Sequence, residues 1–153
     1  ELPGFWNGFG VEANYTYIKS QAKIPRLISA PTVSPSVYAI DVITLPQQSK
    51  DVFNLVLLYE KNNFSTRLAG NYKGKSVFTI NAAYGTDHYV YAASNFTMDF
   101  SSSYTINKKV RIFLEVNNIT DTATRYFMGT SNRVYQGEWY GIRGQLGINV
   151  KLF

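Results

Sequence analysis

Cysteine is absent from the 153 residues, and with it go any disulfide framework, thiolate metal site or thiol nucleophile. Histidine occurs once, at His88, so a metal would have only the Asp87-His88 pair, with no second His or Cys nearby. No G-x-S-x-G surrounds any serine, and neither Gly8-Phe9-Gly10 nor the glycines from Gly141 to Gly147 make a strand-loop-helix phosphate cradle. No catalytic residue, cofactor or metal is therefore expected. Charge is also scarce: Asp, Glu, Lys and Arg make up 16% of the chain, against about 25% in an average soluble domain. The 15 basic residues are scattered singly or in pairs such as Lys108-Lys109, which argues against a nucleic-acid partner despite the net charge of +5. No stretch approaches the roughly 18 continuous apolar residues of a membrane helix. Neither an initiator Met nor a basic and apolar leader stands at Glu1, so the chain is expected to be mature, trimmed or a piece of something longer.

What the sequence has in abundance is aromatic residues, with 12 Tyr and 10 Phe, and alternation. Apolar and polar residues alternate over Phe9 to Ile18, Val52 to Glu60, Phe64 to Lys73, Asn95 to Tyr104, Val110 to Asn117 and Ile142 to Leu152. Each stretch is near the roughly nine to eleven residues with which a tilted strand crosses a bilayer. Tight polar turns are expected at Lys61-Asn62-Asn63 and at residues 105–109. Long loops are expected at 19–51, 74–94 and 118–141. Short connections on one side and long ones on the other are the build of an outer-membrane barrel.

The two faces of these strands differ in charge. One face, from Phe9, Val11 and Ala13 through Leu55, Leu57, Leu68, Phe100 and Leu114 to Leu146, Ile148 and Val150, holds no charged residue. The other carries Glu12, Glu60, Arg67, Lys73, Asp99, Arg111, Glu115, Arg143 and Lys151. Tyr15, Tyr17, Phe53, Tyr59, Phe64, Tyr72, Phe96 and Tyr104 recur near the ends of the apolar face, as in an interfacial girdle where a ring meets lipid and a hydroxyl meets water. This pattern predicts an all-β, antiparallel transmembrane barrel wall, with the charged face turned to a wet lumen. A β-sandwich also alternates, burying one face and wetting the other.

LPQQSKDVFNLVLLYEKNNFSTRLAGNYKGK, followed by FTMDFSSSYTINKKVRIFLEVNNITD and a last strand ending in Phe153, resembles the C-terminal barrel portion of a TonB-dependent outer-membrane receptor. The likeness runs from Leu45 onward, with Phe9 to Tyr17 fitting one further strand. It rests on Tyr59-Glu60-Lys61, the inward Arg67 and Asn71, Asp99, and Asn117-Asn118-Ile119-Thr120-Asp121. The resemblance implies about six C-terminal strands of a barrel of the roughly 22-stranded type, with the plug domain and earlier strands lying before Glu1. It also implies a bacterial outer-membrane location and active import of a scarce nutrient, carbohydrate or siderophore, without chemistry of its own. The LPxxSK stretch leans toward the carbohydrate branch. Implied partners are the rest of the barrel and its plug, TonB through that plug, the lipid and lipopolysaccharide bilayer, and the barrel-assembly machinery through the strand ending in Phe153. That Phe is out of step with Leu146, Ile148, Val150 and Leu152, which define the apolar face instead. A complete small barrel with a structural or adhesive role would need about eight strands, and a secreted sugar-binding sandwich would have to stay soluble.

Ligand contact is expected on the loops, where aromatic faces stand beside charged groups: Tyr84, Asp87, His88 and Tyr89 in one, Arg133 and Trp139 in another. Such a set suits sugars by stacking and hydrogen bonding, and catecholate siderophores by stacking and cations.

Overall fold

All six alternating stretches are strands in the computed structural model, which describes residues 4–28, 32 and 34–152. In chain order the elements are β1 (Phe9–Tyr17), β2 (Ala22–Leu27), β3 (Tyr38–Ile43), β4 (Asp51–Lys61), β5 (Phe64–Lys73), β6 (Ser76–Thr79), β7 (Val90–Ala92), β8 (Asn95–Asn107), β9 (Val110–Asn117), β10 (Thr124–Met128), β11 (Val134–Glu138) and β12 (Arg143–Val150). Two short 3-10 turns, Gly4–Gly8 and Thr86–His88, are the only helical elements among the described residues.

The strands predicted from alternation form one antiparallel sheet of six, in the order β1-β4-β5-β8-β9-β12. Its register sets the apolar rows of all six strands on one side, with Asp51 and Lys61 at the two ends of β4 on that same side, opposite Tyr17 and Phe64. Val11 lies opposite Leu57, Leu57 opposite Leu68 and Leu68 opposite Phe100; Phe100 then faces Val116, while Leu114 faces Leu146. Since side chains alternate across a strand, one uncharged row matched in this way puts every uncharged row on the same side. Among the described residues nothing covers that side: Val11 is 67% exposed, Leu57 44% and Leu146 79%. A two-layer sandwich core would bury this face, and among the described residues its rows stay exposed from β1 to β12.

Turn chemistry explains the tight ends. Asn62 adopts a positive φ of 54°, which Asn tolerates better than most residues, and so closes the two-residue turn between Lys61 and Phe64. At the other tight end β8 runs on to Asn107, beyond the expected Tyr104, through an irregularity between Thr105 and Asn107. There the Asn107 side-chain oxygen accepts the Lys109 and Val110 N–H groups at 2.8 and 3.0 Å, a side-chain-capped turn.

The long connections are not plain loops. β2 and β3 pair as a hairpin, and β11-β10-β7-β6 form a four-stranded antiparallel sheet. These segments are short or broken by Pro25, Gly129 and Gly137, so their alternation covers too few residues to stand out. Pro25 is tolerated because β2 has a single partner strand and its other side needs no donor. Much of the buried apolar material sits in the loop sheet, at Val77, Tyr89, Val90 and Phe127, while Val56 and Ala69 pair on the charged face of the large sheet.

Among the described residues β1 and β12 are the edges of the large sheet, and no ladder joins them. A closed small barrel, the structural or adhesive alternative, requires that ladder. Phe153 lies outside the described residues. An additional aromatic cluster caps the short-turn end of the uncharged face: Phe5 contacts Trp6, Phe9 and Tyr59 at ring centroid distances of 5.9, 5.4 and 4.9 Å, and Tyr59 reaches Phe64 at 6.1 Å.

Candidate functional site

The eight strand charges expected to face a lumen, Glu12, Glu60, Arg67, Lys73, Asp99, Arg111, Glu115 and Arg143, occupy the positions that alternate with the uncharged rows. The one ion pair among the described residues is Arg26 with Asp41, so these eight do not neutralise one another. Arg111 spends a guanidinium N–H on the Ser103 hydroxyl at 2.7 Å, and Asp99 accepts the Asn118 N–H at 2.9 Å.

Toward the long connections this face changes from charges to amides and hydroxyls. Asn54 lies opposite Asn71, and Asn71 opposite Thr97, giving a polar row across β4, β5 and β8. One row closer to the loops, Lys73 lies opposite Asn95. The chain then turns sharply. The Gly74 N–H donates to the Asp51 carbonyl at 2.8 Å, and its own carbonyl accepts the Ser49 hydroxyl at 2.7 Å, which delivers buried Ser76 into β6. Between this corner and β10 lies a groove of about 550 Å³, lined among others by Asn54, Asn71, Lys73, Thr97, Tyr126, Tyr140 and Arg143.

Asn118 shapes the far wall of the groove. Its φ is 56°; its amide nitrogen donates to the Thr122 and Gly141 carbonyls at 3.2 and 3.3 Å, and its side-chain oxygen accepts the Thr122 N–H at 3.0 Å. The Thr122 hydroxyl donates back to the Phe96 carbonyl at 2.6 Å. The Asn117-Asn118-Ile119-Thr120-Asp121 motif is therefore the anchor that ties the start of the last long connection to β8 and to the entry of β12.

The predicted ligand residues lie in the connections that flank the strands of the loop sheet, and none of them lines this groove. Tyr84 is exposed and packs on the His88 ring at 5.3 Å, whose Nδ1 is buried without a hydrogen-bond partner. The exposed Asp87 accepts a bond at its backbone carbonyl from Arg133 Nη1 at 3.1 Å. Trp139 is 71% exposed. Tyr89, in contrast, is wholly buried and donates its hydroxyl to Asp41 Oδ2 at 3.0 Å, while Arg26 Nε reaches the same oxygen at 3.2 Å. Burial, and then the bond to Asp41, raises the Tyr89 hydroxyl above its ordinary range. Burial raises Tyr91 too, whereas Tyr140 is raised first by its bond to Glu138. Tyr89 thus joins the β2–β3 hairpin to the loop sheet. Asn71, Lys73 and Arg143 were expected to face inward but not to share a groove, and Asn54 and Thr97 went unnamed because single Asn and Thr letters on a strand carry no motif. The available signal was their position, as neutral polar residues at the loop ends of the charged face.

No described cluster of three His, Cys, Asp or Glu residues could hold a metal. Among curated proteins and among solved structures nothing matches the chain. The family model of the TonB dependent receptor-like beta-barrel, however, matches residues 1–119. With that match over most of its length and an antiparallel sheet bearing one exposed uncharged face, the chain belongs to the TonB-dependent receptor β-barrel family, whose members are transport receptors of the bacterial outer membrane and not enzymes.

Proposed function

We propose that the six-stranded sheet is the C-terminal part of the wall of a closed barrel of the roughly 22-stranded type, which imports a scarce nutrient, carbohydrate or siderophore, across the outer membrane. The uncharged face meets lipid, and Glu12, Glu60, Arg67, Lys73, Asp99, Arg111, Glu115 and Arg143 face the lumen and its plug. The observation that carries this reading is the apolar rows held in register across all six strands with no layer upon them among the described residues. In water such a face is an aggregation surface; in lipid it is the required one. The free edges at β1 and β12 need neighbouring strands, because each unpaired backbone group in hydrocarbon costs several kcal/mol. Plug, TonB acting through it, and the barrel-assembly machinery are the partners of this reading. Tyr84, Asp87, His88, Arg133 and Trp139 make first contact with ligand outside, and Tyr89 supports them from beneath.

These 153 residues add no cysteine of their own, and single-cysteine spin labelling tests the faces. In the receptor reconstituted in vesicles, labels at Leu57 and Leu114 should collide with oxygen more than with a water-soluble nickel chelate. Labels at Arg67 and Glu115 should not. The opposite ranking would reject the assignment of faces and with it the transmembrane reading.

A further inference from the structure

The groove carries a choice of ligand. Resting on the receptor reading above, we propose that it binds an acidic oligosaccharide, with uronate carboxylates met by Lys73 and Arg143 and ring hydroxyls met by Asn54, Asn71 and Thr97. Four observations support this. No Asp or Glu lines the groove, whereas Lys73 and Arg143 both do. The side chains of Asn54, Asn71, Thr97, Lys73 and Arg143 make no hydrogen bond or ion pair among the described residues, and none of their polar atoms is sealed from the groove, so all five are available to a ligand. Of the carboxylates around the groove, Asp99 accepts the Asn118 N–H and Glu138 accepts from Gln136 and the Tyr140 hydroxyl, while Glu115, diagonal to Arg143 across β9 and β12, stays outside the groove lining. Finally, the two cations stand on β5 and β12, three strand spacings or about 14 Å apart across the sheet, and the register that pairs Arg143 with Asn117 and Asp99 with Ala69 sets them further apart along the strands.

That separation decides between ligand classes. A compact ferric catecholate concentrates its negative charge and would be met by clustered cations. Charges spread along a hydrophilic chain suit two separated cations with neutral donors and acceptors between them. An amide row offers both N–H and C=O to each hydroxyl, which is what a polyhydroxylated ligand requires and an aromatic chelate does not. Lys73 and Arg143 lie at the loop end of the wall, in reach of ligand entering between β6, β7 and β10, whereas Arg67, Glu115 and Arg111 lie nearer the short turns.

The test is calorimetric titration of the purified receptor in detergent with a linear galacturonic acid trisaccharide, with the same trisaccharide methyl-esterified, and with a ferric catecholate. The acid should bind, the ester about tenfold or more weakly, and Lys73→Gln and Arg143→Gln should each weaken the acid by about tenfold while moving the ester much less. Asn71→Leu should weaken both sugars. Equal affinity for acid and ester would overturn the proposal, as would acid binding indifferent to both charge removals. Binding of the catecholate alone would overturn the ligand class and leave the transport reading intact. Reversed spin-label accessibilities would instead remove the transport reading. Lost retention of the plug in Lys73→Gln, with sugar affinity unchanged, would assign the cation to the plug and overturn the proposal.

Discussion

Two side chains of one sheet carry opposite demands. Leu57 lies mid-strand on the uncharged face, opposite Val11 and Leu68. Leu57→Arg is expected to cost about 2 to 4 kcal/mol in lipid, because the guanidinium must be stripped of water or drag water inward. Asn71→Arg, on the other face, should cost much less. Urea titration of the refolded receptor in lipid vesicles measures both, and equal costs would contradict the assignment of faces. Asn118 gives a second single-residue prediction. Its positive φ and its bonds to Thr122 and Gly141 make Asn118→Ala lose side-chain partners and strain the backbone together, about 2 to 3 kcal/mol in all. Asn118→Gly should lose only the partners. Limited proteolysis within residues 118–141 should therefore speed most for Ala and less for Gly.

Between elements, the joint formed by Arg26, Asp41 and Tyr89 holds the β2–β3 hairpin to the loop sheet. A tyrosine whose folded pKa lies above its unfolded value of 10.0 contributes stability that is complete below that value and is lost as pH rises through the folded pKa. The joint should therefore be indifferent to pH between 6 and 9 and loosen above about pH 10 as the phenolate forms beside Asp41. Tyr91, shifted in the same direction, adds to the effect. Spin labels on β3 and β10 should show a distance distribution that broadens from pH 8 to 11. In Tyr89→Phe most of this broadening should vanish, at a cost of about 1 to 2 kcal/mol at neutral pH. A distribution at pH 8 that Tyr89→Phe leaves unchanged, with no loss of stability, would refute the joint.

Among the described residues the sheet has two free edges and an exposed apolar face, which is not a state that persists in water, and the free edges do not persist in lipid. Residues 1–153 refolded alone into detergent should therefore form oligomers of mixed size, pairing edge to edge, and not a monomer resistant to denaturant. Light scattering after size exclusion distinguishes the two. A monodisperse, stable monomer would mean that the edges close on each other, against the order β1-β4-β5-β8-β9-β12.

The six long strands and their faces were legible in the letters because side-chain direction repeats every two residues whatever the neighbouring strand does. Charge avoidance of one face over ten-residue stretches is thus a property of the chain itself. Phe64–Lys73 and Val110–Asn117 agree with the alternation to the residue, and the other boundaries differ by one to three residues where turns and pairing set the ends. The hairpin β2–β3 and the loop sheet were not legible. Strands of three to six residues show too little alternation, and what holds them is remote: Tyr89 finds Asp41 across 48 positions of sequence, and β10 pairs with both β7 and β11. The groove belongs to the same category. Asn54, Asn71 and Thr97 are unremarkable one at a time, and become a row only because antiparallel register sets them side by side, an effect of pairing that no single stretch of chain contains.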